Sequence, residues 1–261
     1  MVQMCTTGQA ALPRRSRGRR LALLRLVLVA AAWLPSSACR DVTARKYEYE
    51  EDVYLQLDGS ATVYVNAAVP ALVALRGAPL PLDPAARLDR SDVRAFYEGP
   101  GVAVGAVSLS RREGRRYVHL RLEVDDIRRL GELPPFAWSR YRFVDRAGLW
   151  VFTQEMSAAA GQDAGPAGWQ GDELIAVRLH VPSRVPFHNS PSRTVERGNI
   201  IAWEQPLSAR AKGEPLAIEV HMEQDSILFQ TLALFAGMTM LALAALGGFI
   251  WWVRRMRPAI S

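Results

Sequence analysis

From Ile227 to Val253 the chain runs 27 residues without a charged side chain. As a helix at 1.5 Å per residue that run is about 40 Å long, against a hydrocarbon core of about 30 Å. Asp225 precedes it, Arg254, Arg255 and Arg257 follow, and Trp251 and Trp252 stand where an interfacial aromatic belt belongs. The pattern predicts one transmembrane helix over 227–253 with a cytoplasmic tail, 254–261, because basic flanks stay inside. No ionisable residue lies within the run, which excludes a proton or ion path through it. Ala233, Gly237, Ala244 and Gly248 share one helical face, a spacing that lets a second helix or a second copy approach closely. An alanine-rich run also produces that spacing by composition alone.

The other end addresses the chain. Residues 14–25 are arginine-rich; nine apolar residues, Leu26 to Leu34, then lead to Pro35 and to Ser36-Ser37-Ala38-Cys39. Nine are too few to span, which takes about 20, and suit the roughly 7–15 of a secretory signal. Residues 1–39 are read as an export signal cut after Ala38. An uncleaved anchor is the other reading, if the apolar run extends back through Leu21. The four residues Ser36-Ser37-Ala38-Cys39 around the cut resemble a bacterial lipobox, in which the cysteine, here Cys39, becomes the first mature residue and the point of lipid attachment. Ser36 stands where such motifs usually carry Leu, and the same residues serve equally as an ordinary small-x-small cleavage site. Arg19-Arg20 matches a twin-arginine signal only in the doublet, and general secretion fits better.

Formal charge is +6 and the pI is near 9.7, values that ordinarily suggest a nucleic-acid partner. Six arginines in 1–39 and three in 254–261 account for more than that excess and leave the segment between at −3. The basic balance therefore belongs to membrane-flanking segments, and no nucleic-acid partner is expected. At 49% hydrophobic and 22% charged the chain is an ordinary globular one. Its two cysteines are Cys5 and Cys39, so an exported domain over 40–226 has no internal disulfide, although export permits one. Such a domain is held by its core.

That domain reads as strands with short helices. Tyr47, Tyr49, Val53, Leu55 and Leu57 alternate with mostly polar residues, Asp58-Gly59 marks a tight turn, and Ala61, Val63, Val65 and Ala67 resume the alternation. Further hairpins are predicted for 102–110 with 117–124 and for 139–144 with 149–155, and strands for 173–181, 199–203 and 216–222. Short helical turns are expected at 71–75, at 91–98 behind a Ser91 cap, and at 127–130 behind Asp125 or Asp126. The small, glycine-rich stretch 157–172 is expected to be a mobile loop or a lid. The fold class is α+β: a mostly antiparallel curved sheet with short helices, plus the C-terminal span.

Catalytic signatures do not appear. No nucleophile elbow, P-loop, dinucleotide glycine pattern or zinc signature is present. His119, His180, His188 and His221 have no ligand-spaced partner in the sequence, and a helix cap accounts for the Glu123, Asp125, Asp126 cluster. No cofactor and no metal are expected. Two features remain. Arg111, Arg112, Arg115 and Arg116 crowd a hairpin tip, either solvated or placed to contact anionic lipid. Phe96, Tyr97, Phe136, Trp138, Tyr141, Phe143, Trp150 and Phe152 either line an apolar cavity or pack as a core.

The stretch from Leu174 to Met222 resembles the LppM-like bacterial envelope domains. It carries a strand, Val181-Pro182, His188-Asn189, Gly198-Asn199 and Trp203, then a last strand, the span and an Arg-rich stop. Ser190-Pro191 stands where the family usually places Gly after the Asn. The resemblance implies a membrane-anchored exported domain without catalysis that binds lipid-like molecules, and carries over no catalytic residue. The expected function is thus a non-enzymatic extracytoplasmic domain of the bacterial cytoplasmic membrane with a lipid or envelope-glycolipid ligand. The rival is a structural or interaction subunit of an envelope complex, with a transmembrane partner or self-association through the span. If Cys39 is the lipid attachment site, Cys39→Ala abolishes metabolic labelling by a fatty acid while the C-terminal span keeps the protein in the membrane. Unchanged labelling would remove the lipobox reading.

Overall fold

Alternating apolar and polar side chains build two β-sheets in the computed structural model, which describes residues 46–112, 114–159, 163–165 and 167–256. The export signal, Cys39 and the tail beyond Met256 lie outside the described residues. Strands β1 (Tyr47–Leu55), β2 (Ala61–Ala68), β3 (Val102–Arg112), β4 (Arg115–Val124), β7 (Leu174–His180) and β9 (Ile200–Pro206) form one sheet in the order β3-β4-β2-β1-β7-β9. Strands β5 (Ser139–Arg146), β6 (Leu149–Met156), β8 (Phe187–His188) and β10 (Leu216–Glu223) form the other in the order β5-β6-β10-β8. Every pairing is antiparallel except β1 with β7. The helices are α1 (Val69–Arg76), α2 (Arg90–Tyr97), α3 (Leu207–Ala211) and the long α4 (Ile227–Met256), with 3-10 turns at Ile127–Glu132 and Pro134–Phe136.

The α+β class and all three hairpins stand as read from the sequence. The Asp58-Gly59 turn closes with Gly59 at φ +89, a conformation that favours glycine, and the Gly59 carbonyl accepts from the Ile127 amide at 2.8 Å. Asp126 caps the first 3-10 turn through the Arg128 amide. The cap of α2 is Asp89, whose carboxylate accepts from the Ser91 amide and hydroxyl, so Ser91 belongs to the first turn rather than capping it. A second sheet stands where the sequence suggested one curved sheet. The two-residue β8 and the five-residue α3 are too short to leave a periodic signal.

The sheets meet over a carboxylate. In β1 the odd-numbered residues face inward, which places Tyr49, Glu51, Val53 and Leu55 in the core at 0–1% exposure. Glu51 accepts from Arg76 Nη2 of α1 at 2.6 Å and from the Tyr49 hydroxyl at 2.8 Å. From the opposite sheet it accepts from the Tyr141 hydroxyl at 3.2 Å and from Gln154 Nε2 at 3.1 Å. Helix α1 is apolar on all sides before Arg76 and lies buried along its length. Its Gly77 cap, at φ +64, returns amides 77 and 78 to the carbonyls of Val73 and Leu72.

Breaking a buried pair leaves one charge without its partner, at about 3–5 kcal/mol. Arg76→Met is therefore expected to lower stability in urea by that amount. Arg140→Ala, at the exposed Arg140–Glu155 contact of 3.7 Å, should leave the midpoint nearly unchanged. Equal effects of the two substitutions would contradict the central place given to Glu51.

Candidate functional site

The eight aromatics singled out in the sequence belong to the core. Tyr97, Phe136, Trp138, Tyr141, Phe143 and Phe152 are buried, and Phe96 and Trp150 pack against them partly exposed. Phe143 stacks on Trp150 at 4.7 Å, and Tyr97 meets Phe136 edge-on at 5.9 Å. Two of the eight, Trp138 and Tyr141, also border an open groove of about 640 Å³ beside β5 and β6. Its other walls come from the first 3-10 turn (Arg128, Gly131, Glu132), the outer ends of the strands (Arg140, Glu155, Met156) and Pro215 to Ala217. At one wall the 3-10 turn packs directly on β5: a Cβ on Gly131 would stand 2.6 Å from the Ser139 carbonyl oxygen.

The groove backs onto the buried charges. The Arg76 guanidinium lies 3.7 Å from the Trp138 ring centroid and that of Arg210 lies at 5.3 Å, so one indole serves two cations. Arg210 is fully buried and donates to the carbonyls of Met156, Ser157 and Glu214. Burial, and then the neighbouring Arg76 charge, pull its guanidinium below the usual range. Burial pushes the Tyr49 and Tyr141 phenols well above the ordinary 10.0; the Glu51 carboxylate adds to this and Arg76 opposes it. Burial raises Tyr97 as well, against Arg76. The indole Nε1 of Trp138 is buried without a hydrogen-bond partner, a condition that costs about 1–3 kcal/mol where it persists.

The arginine tip divides into unequal parts. Arg116 is buried and donates to the carbonyls of Pro81 and Ala86. Arg115 pairs with Glu48 and donates to the Gly168 carbonyl at 2.7 Å. Arg111 donates to the Pro84 carbonyl, and Arg112 stands over the Tyr117 ring at 5.0 Å, both being exposed. Glu48, 1% exposed, also accepts from Trp169 Nε1 at 3.3 Å. Gly168 and Trp169 are thus tied to the tip through Arg115 and Glu48, and a recess of about 310 Å³ is lined by Ala164, Gly165 and Ala167 together with Gly114, Arg115 and Arg116. The register puts this tip at the start of β1 and the end of β2, while α4 departs from the opposite end of the sheet, beyond His180.

Helix α4 is long and apolar enough to cross a membrane, and none of its apolar stretch is buried against the domain. Ala233, Gly237, Ala244 and Gly248 are exposed along it, with open space around both glycines. The histidines have local partners: His119 with Asn66 and Ser110, His188 with the Ser190 amide, His221 with Glu219, and His180 stacked on Tyr54 at 3.9 Å. Among the described residues no group of three His, Cys, Asp or Glu is placed to hold a metal ion.

No family model matches the chain, and no curated protein matches it. The solved folded domain of Mycobacterium tuberculosis LppM is similar at 13% identity and a TM-score of 0.39, over 69% of this chain and 91% of that one. At that identity and score the resemblance is weak.

The raised phenols carry a linkage. A fold that holds their protons more tightly than the unfolded chain, where they ionise near pH 10, has that stability in full below pH 10 and loses it as pH rises further. In an alkaline titration at 295 nm, Tyr49, Tyr97 and Tyr141 should ionise only together with unfolding. Reversible ionisation of all seven tyrosines with the fold intact would contradict this burial.

Proposed function

We propose that this chain is a membrane-tethered domain that holds the polar, sugar-bearing headgroup of an envelope glycolipid in the groove beside Trp138, without chemical turnover. The observation that carries the reading is a groove of about 640 Å³ walled by Trp138 and Tyr141 with charged side chains beside them, a size ordinary for small-molecule sites. An aromatic wall beside charged groups suits a hydroxyl-rich ligand. The rim supports the same chemistry, since Arg128, Glu132, Arg140 and Glu155 alternate charge around an aromatic and methionine floor. Such a lining suits a headgroup, taken up at the end of the second sheet opposite α4. In this reading the domain lies on the outer side of a bacterial cytoplasmic membrane, with the arginines after α4 inside.

Native mass spectrometry of the full chain, extracted in detergent from its own membranes, tests the assignment. The expected result is a discrete added mass that fragments into hexose and acyl ions. Ala217→Trp, at an exposed position on the groove wall, should remove that mass and leave the unfolding midpoint in place. A bare mass for the unsubstituted chain, or the same added mass on the variant, would end this assignment.

A further inference from the structure

The passage from strand to span has no slack. Strand β10 ends at Glu223 and α4 begins at Ile227, a distance of at most about 14 Å for an extended chain. Glu223, Gln224, Ser226 and Ile227 are each bonded to the domain. The Glu223 amide donates to the Arg184 carbonyl at 2.9 Å, and Gln224 Nε2 donates to the Asp145 carboxylate at 2.9 Å. Ser226 bridges Ser183, and the Ile227 amide donates to the Pro182 carbonyl at 3.0 Å. Whatever surface α4 enters therefore lies close against these residues.

The register shows what the domain presents there. Arg146 pairs with Leu149 and Leu149 with Glu223, so the β5–β6 turn at Ala147-Gly148 projects past the end of β10 in the direction of α4. On the other flank, residues 184 to 182 run beside 223 to 227. Arg146 and Ala147 are exposed, and the Arg184 side chain is 79% exposed, with only a loose contact of 3.7 Å to Glu223. Two pairing steps further from the helix, the row Val144, Val151, His221 and Phe187 carries two of the exposed apolar side chains of the domain, Val144 at 43% and Phe187 at 47%. Nearest the helix, Arg146 and Arg184 stand among Asp145, Glu223 and Asp225, with Asp145 engaged by Gln224 and Glu223 by Arg184; arginines with apolar side chains behind them reach headgroups at an interface.

We propose that this end of the domain, the β5–β6 turn and the segment 184–186, rests on the headgroup layer of the bilayer that α4 enters, with Arg146 and Arg184 against anionic lipid. The contact fixes how the domain stands on the membrane and turns the arginine tip at 111–116 away from it. It is separate from the groove reading and does not need a bound glycolipid.

The test uses the full chain, with Cys5→Ser and Cys39→Ser, in phosphatidylcholine vesicles containing phosphatidylglycerol and a nickel-chelating lipid. Spin labels are placed singly at Ala147→Cys, Pro186→Cys, Arg111→Cys and, within the helix, Met238→Cys. The expected result is relaxation by the headgroup nickel at 147 and 186, none at 111, and oxygen access without access of a soluble nickel chelate at 238. Arg146→Glu with Arg184→Glu should lose the enhancement at 147 and 186 while the signal at 238 stays. Labels at 147 and 186 that behave like the one at 111 overturn the proposal. Dipolar broadening at 147 in place of nickel relaxation overturns it in favour of a second copy on that face. A label at 238 open to the soluble chelate overturns it together with the span.

Discussion

The fold depends on satisfying one carboxylate buried between its two sheets. Glu51 is fully buried and takes hydrogen bonds from β1, α1, β5 and β6 at once. No other described contact joins both sheets and a helix at a single group. A buried charge is tolerated only with its partner and its remaining hydrogen bonds in place, so Arg76 must arrive at one position and α1 must end there. The Gly77 cap then follows from the need to stop the helix at Arg76. The guanidinium in turn stacks on Trp138, which sets the back wall of the groove. Local geometry at the groove is in this sense inherited from the ion pair.

A second buried carboxylate organises the opposite end. Glu48 draws Arg115 and Trp169 onto β1 and thereby joins a hairpin tip to a glycine-rich stretch distant from it in sequence. The arginines that look free in the sequence are largely engaged with carbonyls and acids. The domain is consequently polar in its layout: an internally bonded arginine end, a groove along the second sheet, and an end hydrogen-bonded to the start of α4. Each of these three regions is tied to a strand by register rather than by a flexible connection.

Much of the secondary structure was legible because period-two alternation and tight-turn residues are local signals. The hairpin around Asp58-Gly59, the hairpin at 139–156 and the last strand before the span required no tertiary information. The parallel pairing of β1 with β7 was not legible, since it joins Tyr47 to Leu174 and no turn residue marks it. The groove was hidden for the same reason: its walls come from the turn at 127–132, the strands at 139–156 and the segment 215–217. One clue to the ion pair does lie in the chain. Glu51 falls in the apolar register of β1, and an acid on that face needs a buried base.

By itself the sequence determined the long apolar helix and the hairpins, because hydropathy over 27 residues and alternation over eight or nine are properties of contiguous chain. Only the tertiary structure decided which charges are buried, which arginines remain free and which end of the domain meets the helix. Those outcomes are set by register between distant strands. A one-residue shift there would turn Glu51 outward and leave Arg76 in the core alone.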